Sequence, residues 1–135
     1  MAGAYRISID LVTEALANLG VLAPGQPIDA EDFNYVNEKL DSIFRKVAAL
    51  EIVTVADANN IPGAYFSDLA DIVAGECCTK FGVTPDDYVM LVNRGLGGAN
   101  IQNGGADVGQ GAAAKSLRAI VRLRPTGERL QVEYF

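Results

Sequence analysis

Histidine is missing from this chain altogether, and its only cysteines, Cys77 and Cys78, are adjacent. Without histidine there is no Ser-His or Cys-His pair, no imidazole base, and none of the commonest zinc ligand. Neighbouring residues of a helix point about 100° apart. A disulfide between adjacent cysteines also strains the backbone, so Cys77 and Cys78 read as buried free thiols. No apolar run approaches the roughly eighteen residues of a membrane span. The opening residues Met1-Ala-Gly-Ala-Tyr-Arg-Ile-Ser-Ile-Asp lack the basic region and apolar stretch of a signal peptide. An intracellular protein is therefore expected, or part of a particle assembled inside a cell. Basic charge is also scarce: the chain carries a net −6 over 135 residues. That argues against a protein that coats nucleic acid, which needs a basic footprint.

What basic charge there is collects at one end. From Lys115 onward, Lys115, Arg118, Arg122, Arg124 and Arg129 stand against Glu128 and Glu133, a net of +3, whereas residues 1–114 carry −9. The chain then closes on the apolar, aromatic Val132-Glu133-Tyr134-Phe135. Free tails are usually polar and frayed. A charge-reversed segment with an aromatic end reads as one that docks on something. Arg118, Arg122 and Arg124 could contact phosphate. Pairing with the acidic body of another copy is the more economical reading.

Helical periodicity dominates what lies between. Leu11, Val12, Ala15, Leu16 and Leu19 predict a helix from Ser8 to Leu19, ended by Gly20. Asp29 reads as the N-cap of the longest helix, with Glu31 and Asp32 in its first turn. Its stripe is Phe33, Val36, Leu40, Ile43, Phe44, Val47 and Leu50. The β-branched Ile52-Val-Thr-Val-Ala suits an extended connector or one strand of a small hairpin. A third helix is expected from about Ala64 or Ser67 to Phe81, with Tyr65, Phe66, Leu69, Ile72, Val73 and Cys77 inward and Gly82 closing it. Thr84-Pro85-Asp86-Asp87 is a helix start: hydroxyl cap, proline at the first position, acids in the first turn. Between Gly95 and Gly111 seven of seventeen residues are glycine. Each costs a helix roughly 1 kcal/mol relative to alanine, so an irregular or mobile loop is expected there. A short basic helix resumes at Ala112. After Pro125-Thr-Gly, Arg129–Phe135 reads as extended, with Leu130, Val132 and Tyr134 on one face.

The expected fold is thus all-α: a small four- to five-helix bundle over residues 1–94, a glycine-rich loop over 95–111, and a basic helix plus extended docking arm over 112–135. The acid clusters Asp29/Glu31/Asp32 and Asp86/Asp87 sit where helix N-termini favour negative charge, which accounts for them without catalysis. Gly95-Leu-Gly-Gly-Ala-Asn has neither the preceding strand nor the closing Gly-Lys-Ser/Thr of a phosphate loop. No catalytic, metal or cofactor site is expected.

Several stretches together resemble one family. Leu11-Val-Thr-Glu-Ala-Leu-Ala-Asn-Leu-Gly-Val, then Asp32-Phe-Asn-Tyr-Val-Asn-Glu-Lys-Leu-Asp-Ser-Ile, resemble the opening of the head-to-tail adaptor (head completion) proteins of tailed phages. Among these, the adaptors of short-tailed phages are the nearest type. Phe66–Val83 is similar to their next helix. Lys115-Ser-Leu-Arg-Ala-Ile, Arg124-Pro-Thr and Tyr134-Phe135 are similar to their C-terminal end. The likeness spans residues 8–94 and 112–135. The glycine-rich stretch departs from it, since the family commonly continues an alanine-rich helix there.

The resemblance implies a structural virion protein that forms a dodecameric ring beneath the portal protein. Such a ring continues the DNA channel without binding DNA specifically and receives the next tail component. Carried over by position, Arg118, Arg122, Arg124, Arg129, Leu130, Val132, Tyr134 and Phe135 become the portal-binding arm. A generic helical interaction module that docks through its C-terminus is the alternative.

Overall fold

Helices form where apolar spacing and caps ask for them. The computed structural model describes residues 5–21, 27–55, 57 and 59–123. Helix α1 runs Ser8–Asn18 and buries Leu11, Val12, Ala15 and Leu16; Gly20 beyond it takes φ +79°. Helix α2 runs Ala30–Ala49. Its N-cap is Asp29, whose carboxylate accepts the Asp32 backbone N–H at 3.2 Å. Helix α4, Pro85–Arg94, starts as its sequence announces, with the Thr84 hydroxyl accepting from Asp87 N–H at 3.2 Å and Pro85 in the first turn.

Helix α3, Gly63–Cys77, is the axle of the molecule. It buries Tyr65, Phe66, Leu69, Ile72, Val73 and Cys77 on one side and Ala70, Ala74 and Gly75 on the rest. A helix buried over most of its circumference belongs in the middle of a bundle. Accordingly α1, α2, α4 and the last helix, α5 (Ala112–Leu123), all pack against α3. Past Cys77 the helix tightens to a 3₁₀ turn over Cys78–Phe81, which ends at Gly82. Among the described residues the fold is an all-α bundle of five helices.

Of the two readings of residues 52–56, an extended connector or a hairpin strand, the described positions bear out the connector and form no strand. The chain instead curls back on the end of α2: Leu50, Glu51 and Ile52 donate their N–H groups to the carbonyls of Lys46, Ala48 and Val47. Glu51 adopts φ +59°, and Ile52 and Val53 drop into the core. Capping the helix consumes the Ile52 N–H, the first donor that a strand would have offered. The small ladder lies elsewhere, as an antiparallel pair of β1 (Tyr5–Arg6) with β2 (Ile61–Pro62).

The glycine-rich stretch is irregular, with one 3₁₀ turn at Ile101–Asn103, but it is tied to the body. Leu96 is 1 % exposed, and it joins Ala113, Ala114 and Leu117 of α5 in the core shared by α1, α2 and α3. Leu96 O receives the N–H groups of Gly109 and Gly111, at 2.7 and 3.1 Å. Asn93 clamps Ala99 by donating to its carbonyl at 3.0 Å and accepting its N–H at 3.3 Å. Helix α5 is therefore part of the bundle.

Glycine at two positions lets α3 and the end of α4 touch backbone to backbone. A Cβ on Gly75 would lie 2.8 Å from Leu91 O, and one on Gly95 would lie 2.8 Å from Asp71 O and 2.9 Å from Ile72 Cα. Side chains at either site would hold the helices apart.

Candidate functional site

The residues expected to dock divide into three groups. Arg124, Arg129, Leu130, Val132, Tyr134 and Phe135 lie outside the described residues. Arg122 stands exposed on the last turn of α5, in line with Lys115 and Ala119, which are exposed too. Arg118, although on the same helix, faces inward.

Arg118 is half-buried, and its guanidinium donates to Leu50 O at 2.9 Å and to Gly109 O. These carbonyls belong to the C-cap of α2 and to the glycine-rich stretch. One side chain thereby pins two irregular segments to α5. A planar fork with several donors suits that task, as a point-charge ammonium does not. Arg118 is thus engaged within the chain, which corrects its place in the expected docking set. The sequence put it on a basic helix, one turn from Arg122, but could not say that its guanidinium reaches back to Leu50 and Gly109.

We expect Arg118→Ala to cost about 2 kcal/mol by stranding two carbonyls, with Arg118→Lys recovering only part of it. Thermal unfolding measures this. Folded Arg118→Lys should retain any partner binding in full.

Other polar groups around α3 are likewise spoken for. Ser116 of α5 donates to Asp68 at 2.7 Å, and Asn18 of α1 donates to Asp71 at 3.2 Å. Burial raises the Asp71 carboxyl above the usual carboxylate range, opposed by the nearby Arg94 charge. Cys77 and Cys78 are free and buried. Burial pushes the Cys77 thiol up to about 12 and raises that of Cys78, whose Sγ leans on Gly75 O at 3.2 Å. A thiol held protonated is a poor nucleophile. The described residues contain no group of three or more His, Cys, Asp or Glu side chains placed to hold a metal ion. Nor is any described helix long and apolar enough to cross a membrane.

Among the described residues, two open grooves lie on the surface. One, of about 290 Å³, is lined by Lys46, Glu76, Tyr88 and Val108, and its rim is closed by the Lys46–Glu76 ion pair at 3.0 Å. The other, of about 310 Å³, follows the outer face of α2 and is lined by Glu31, Asn34, Tyr35, Glu38 and Lys80. Lys39 and Lys80 each hold their ammonium 5.4 Å from the centre of the Tyr35 ring. Comparison of the chain with protein-family models, curated proteins and solved structures finds no match.

Proposed function

We propose that this protein is a structural component of a phage virion. In this reading it is a head-to-tail adaptor whose copies form a ring between the portal protein and the tail and continue the DNA channel. The reading rests chiefly on the likeness of residues 8–94 and 112–135 to such adaptors. It is supported by a charge division that suits the task. An acidic body of net −9 over residues 1–114 repels DNA that must slide past it. The net +3 from Lys115 onward is drawn to an acidic partner. The helical bundle with α5 seated on α3 supplies a rigid base from which a C-terminal arm can reach.

In this proposal the partners are the portal protein, neighbouring copies and a downstream tail protein, and the site of action is the virion, with assembly in the host cytoplasm. No catalysis and no cofactor are involved. The test is electron microscopy of the purified protein mixed with the portal of the same phage. A second ring stacked on the portal is the expected result. Portal rings that stay bare at micromolar protein would refute the assignment and favour a generic interaction module.

A further inference from the structure

The exposed charges of α5 and α2 have matching spacing. On α5, Lys115, Ala119 and Arg122 are all exposed and follow one another at intervals of four and three residues, so they form one stripe along the helix. Lys115 and Arg122 are seven residues apart, about 10.5 Å along the axis. On α2, Glu31, Asn34 and Glu38 are exposed at intervals of three and four residues, and Glu31 and Glu38 are also seven apart. Among the described residues none of these four charges has an ion-pair partner. The other charges nearby are committed: Asp41 pairs with Arg45 at 3.1 Å, and Lys39 and Lys80 rest over Tyr35. Between Lys115 and Arg122 the stripe carries the methyl of Ala119, flanked by Arg118, whose guanidinium is tied back to Leu50 O and Gly109 O, so a second helix can approach over Ala119. Between Glu31 and Glu38 lies the groove of about 310 Å³ that such a helix would enter.

We propose that the occupant of the α2 groove is α5 of a second copy, with Lys115 and Arg122 meeting Glu31 and Glu38 and Ala119 lying against Asn34 and Tyr35. This rests on the ring-forming reading above and names its faces. Charge complementarity decides the occupant: copies carrying −6 each repel, and this stripe is where one described surface offers two unpaired cations at the spacing of two unpaired anions. The two faces belong to different helices, so the contact is head-to-tail. Repeated with a rotation that divides a full turn, such a contact closes a ring; any other rotation would give an open filament.

Sedimentation velocity without any portal tests it. The wild-type chain should associate as its concentration rises and dissociate as salt rises, because exposed pairs are screened. Lys115→Glu/Arg122→Glu should weaken association at least about tenfold, and so should Glu31→Lys/Glu38→Lys. Mixed in equal amounts, the two variants regain complementary faces on both sides and should associate again, with circular dichroism and melting temperature unchanged throughout. A wild-type chain that stays monomeric at every concentration would overturn the proposal, as would variants that associate normally or a mixture that does not recover. If wild type shifts a DNA duplex in a gel and Lys115→Glu/Arg122→Glu abolishes the shift with sedimentation unaltered, the stripe binds nucleic acid and the proposal is wrong. Because the portal is absent, failure here leaves portal stacking to be judged by its own experiment.

Discussion

Gly95→Ala should destabilise the protein by about 3 kcal/mol, which for a chain of this size lowers the melting temperature by about 10 °C. An added methyl would sit 2.8 Å from Asp71 O and 2.9 Å from Ile72 Cα, and both are backbone atoms of α3. A flexible side chain could swing aside; a helix backbone cannot. Relief requires moving the end of α4 off α3. That also disturbs Leu96, buried one residue later, and the Leu96 carbonyl that receives Gly109 and Gly111. Gly75→Ala meets the same obstacle from the other side, at Leu91 O. There the loss is partly offset by about 1 kcal/mol of better helix propensity. Gly20→Ala is the control. Gly20, unlike Gly95, has a positive φ, +79°, but open space surrounds it, so alanine there should cost only the strain of that conformation, about 1 kcal/mol. Equal losses at Gly20 and Gly95 in thermal unfolding would mean that backbone approach between α3 and α4 is not what the glycine serves.

The contrast between Gly20 and Gly95 marks the limit of what the sequence discloses. Features that act within one turn are legible. The Asp29 and Thr84 caps, the proline at the start of α4, Gly20 after α1 and the inward stripes all follow from rules that span four residues. Features that depend on what lies across the bundle are not. Seven glycines signal the absence of a helix, but they do not say that Gly95 is a contact surface for α3. Ile52-Val-Thr-Val-Ala reads as connector or strand because its residues favour extended, pleated conformations. What decides for the connector is that a carbonyl ending α2 takes its first donor, the Ile52 N–H. Arg118 looks like its neighbour Arg122 in every local respect. Only the positions of Leu50 and Gly109 turn it into an internal clamp.

The candidate site divides the same way. The charge reversal at Lys115 can be counted along the chain, whereas the match between the α5 and α2 stripes needs both helices exposed on the correct faces. The surrounding burial of α3 also explains why no chemistry emerged from its polar groups. Asp68, Asp71 and the two cysteines serve the packing of one central helix.

Deleting residues 125–135 should leave the bundle folded and reduce portal binding by about a hundredfold or more. Among the described residues the core's buried and half-buried members run from Leu11 to Ile120, and the deletion removes none of those. Melting temperature and helical content should therefore stay within a few degrees and a few per cent of wild type, as expected when those contacts are kept. The loss of binding follows from what the segment carries. Leu130, Val132, Tyr134 and Phe135 are apolar or aromatic residues of the kind that anchor interfaces. Truncating such anchors costs about 2–4 kcal/mol each, and about 2.7 kcal/mol corresponds to a hundredfold. The paired substitution Tyr134→Ala/Phe135→Ala should reproduce most of the loss. Arg124→Ala/Arg129→Ala should instead weaken the salt dependence of association with a smaller effect on affinity at physiological salt. Co-sedimentation with purified portal distinguishes these outcomes. A truncated chain that melts as wild type and still binds portal at full strength would move the contact off the arm and onto the bundle. A truncated chain that unfolds would show that residues 125–135 serve the fold, and that the charge reversal at Lys115 has an internal purpose.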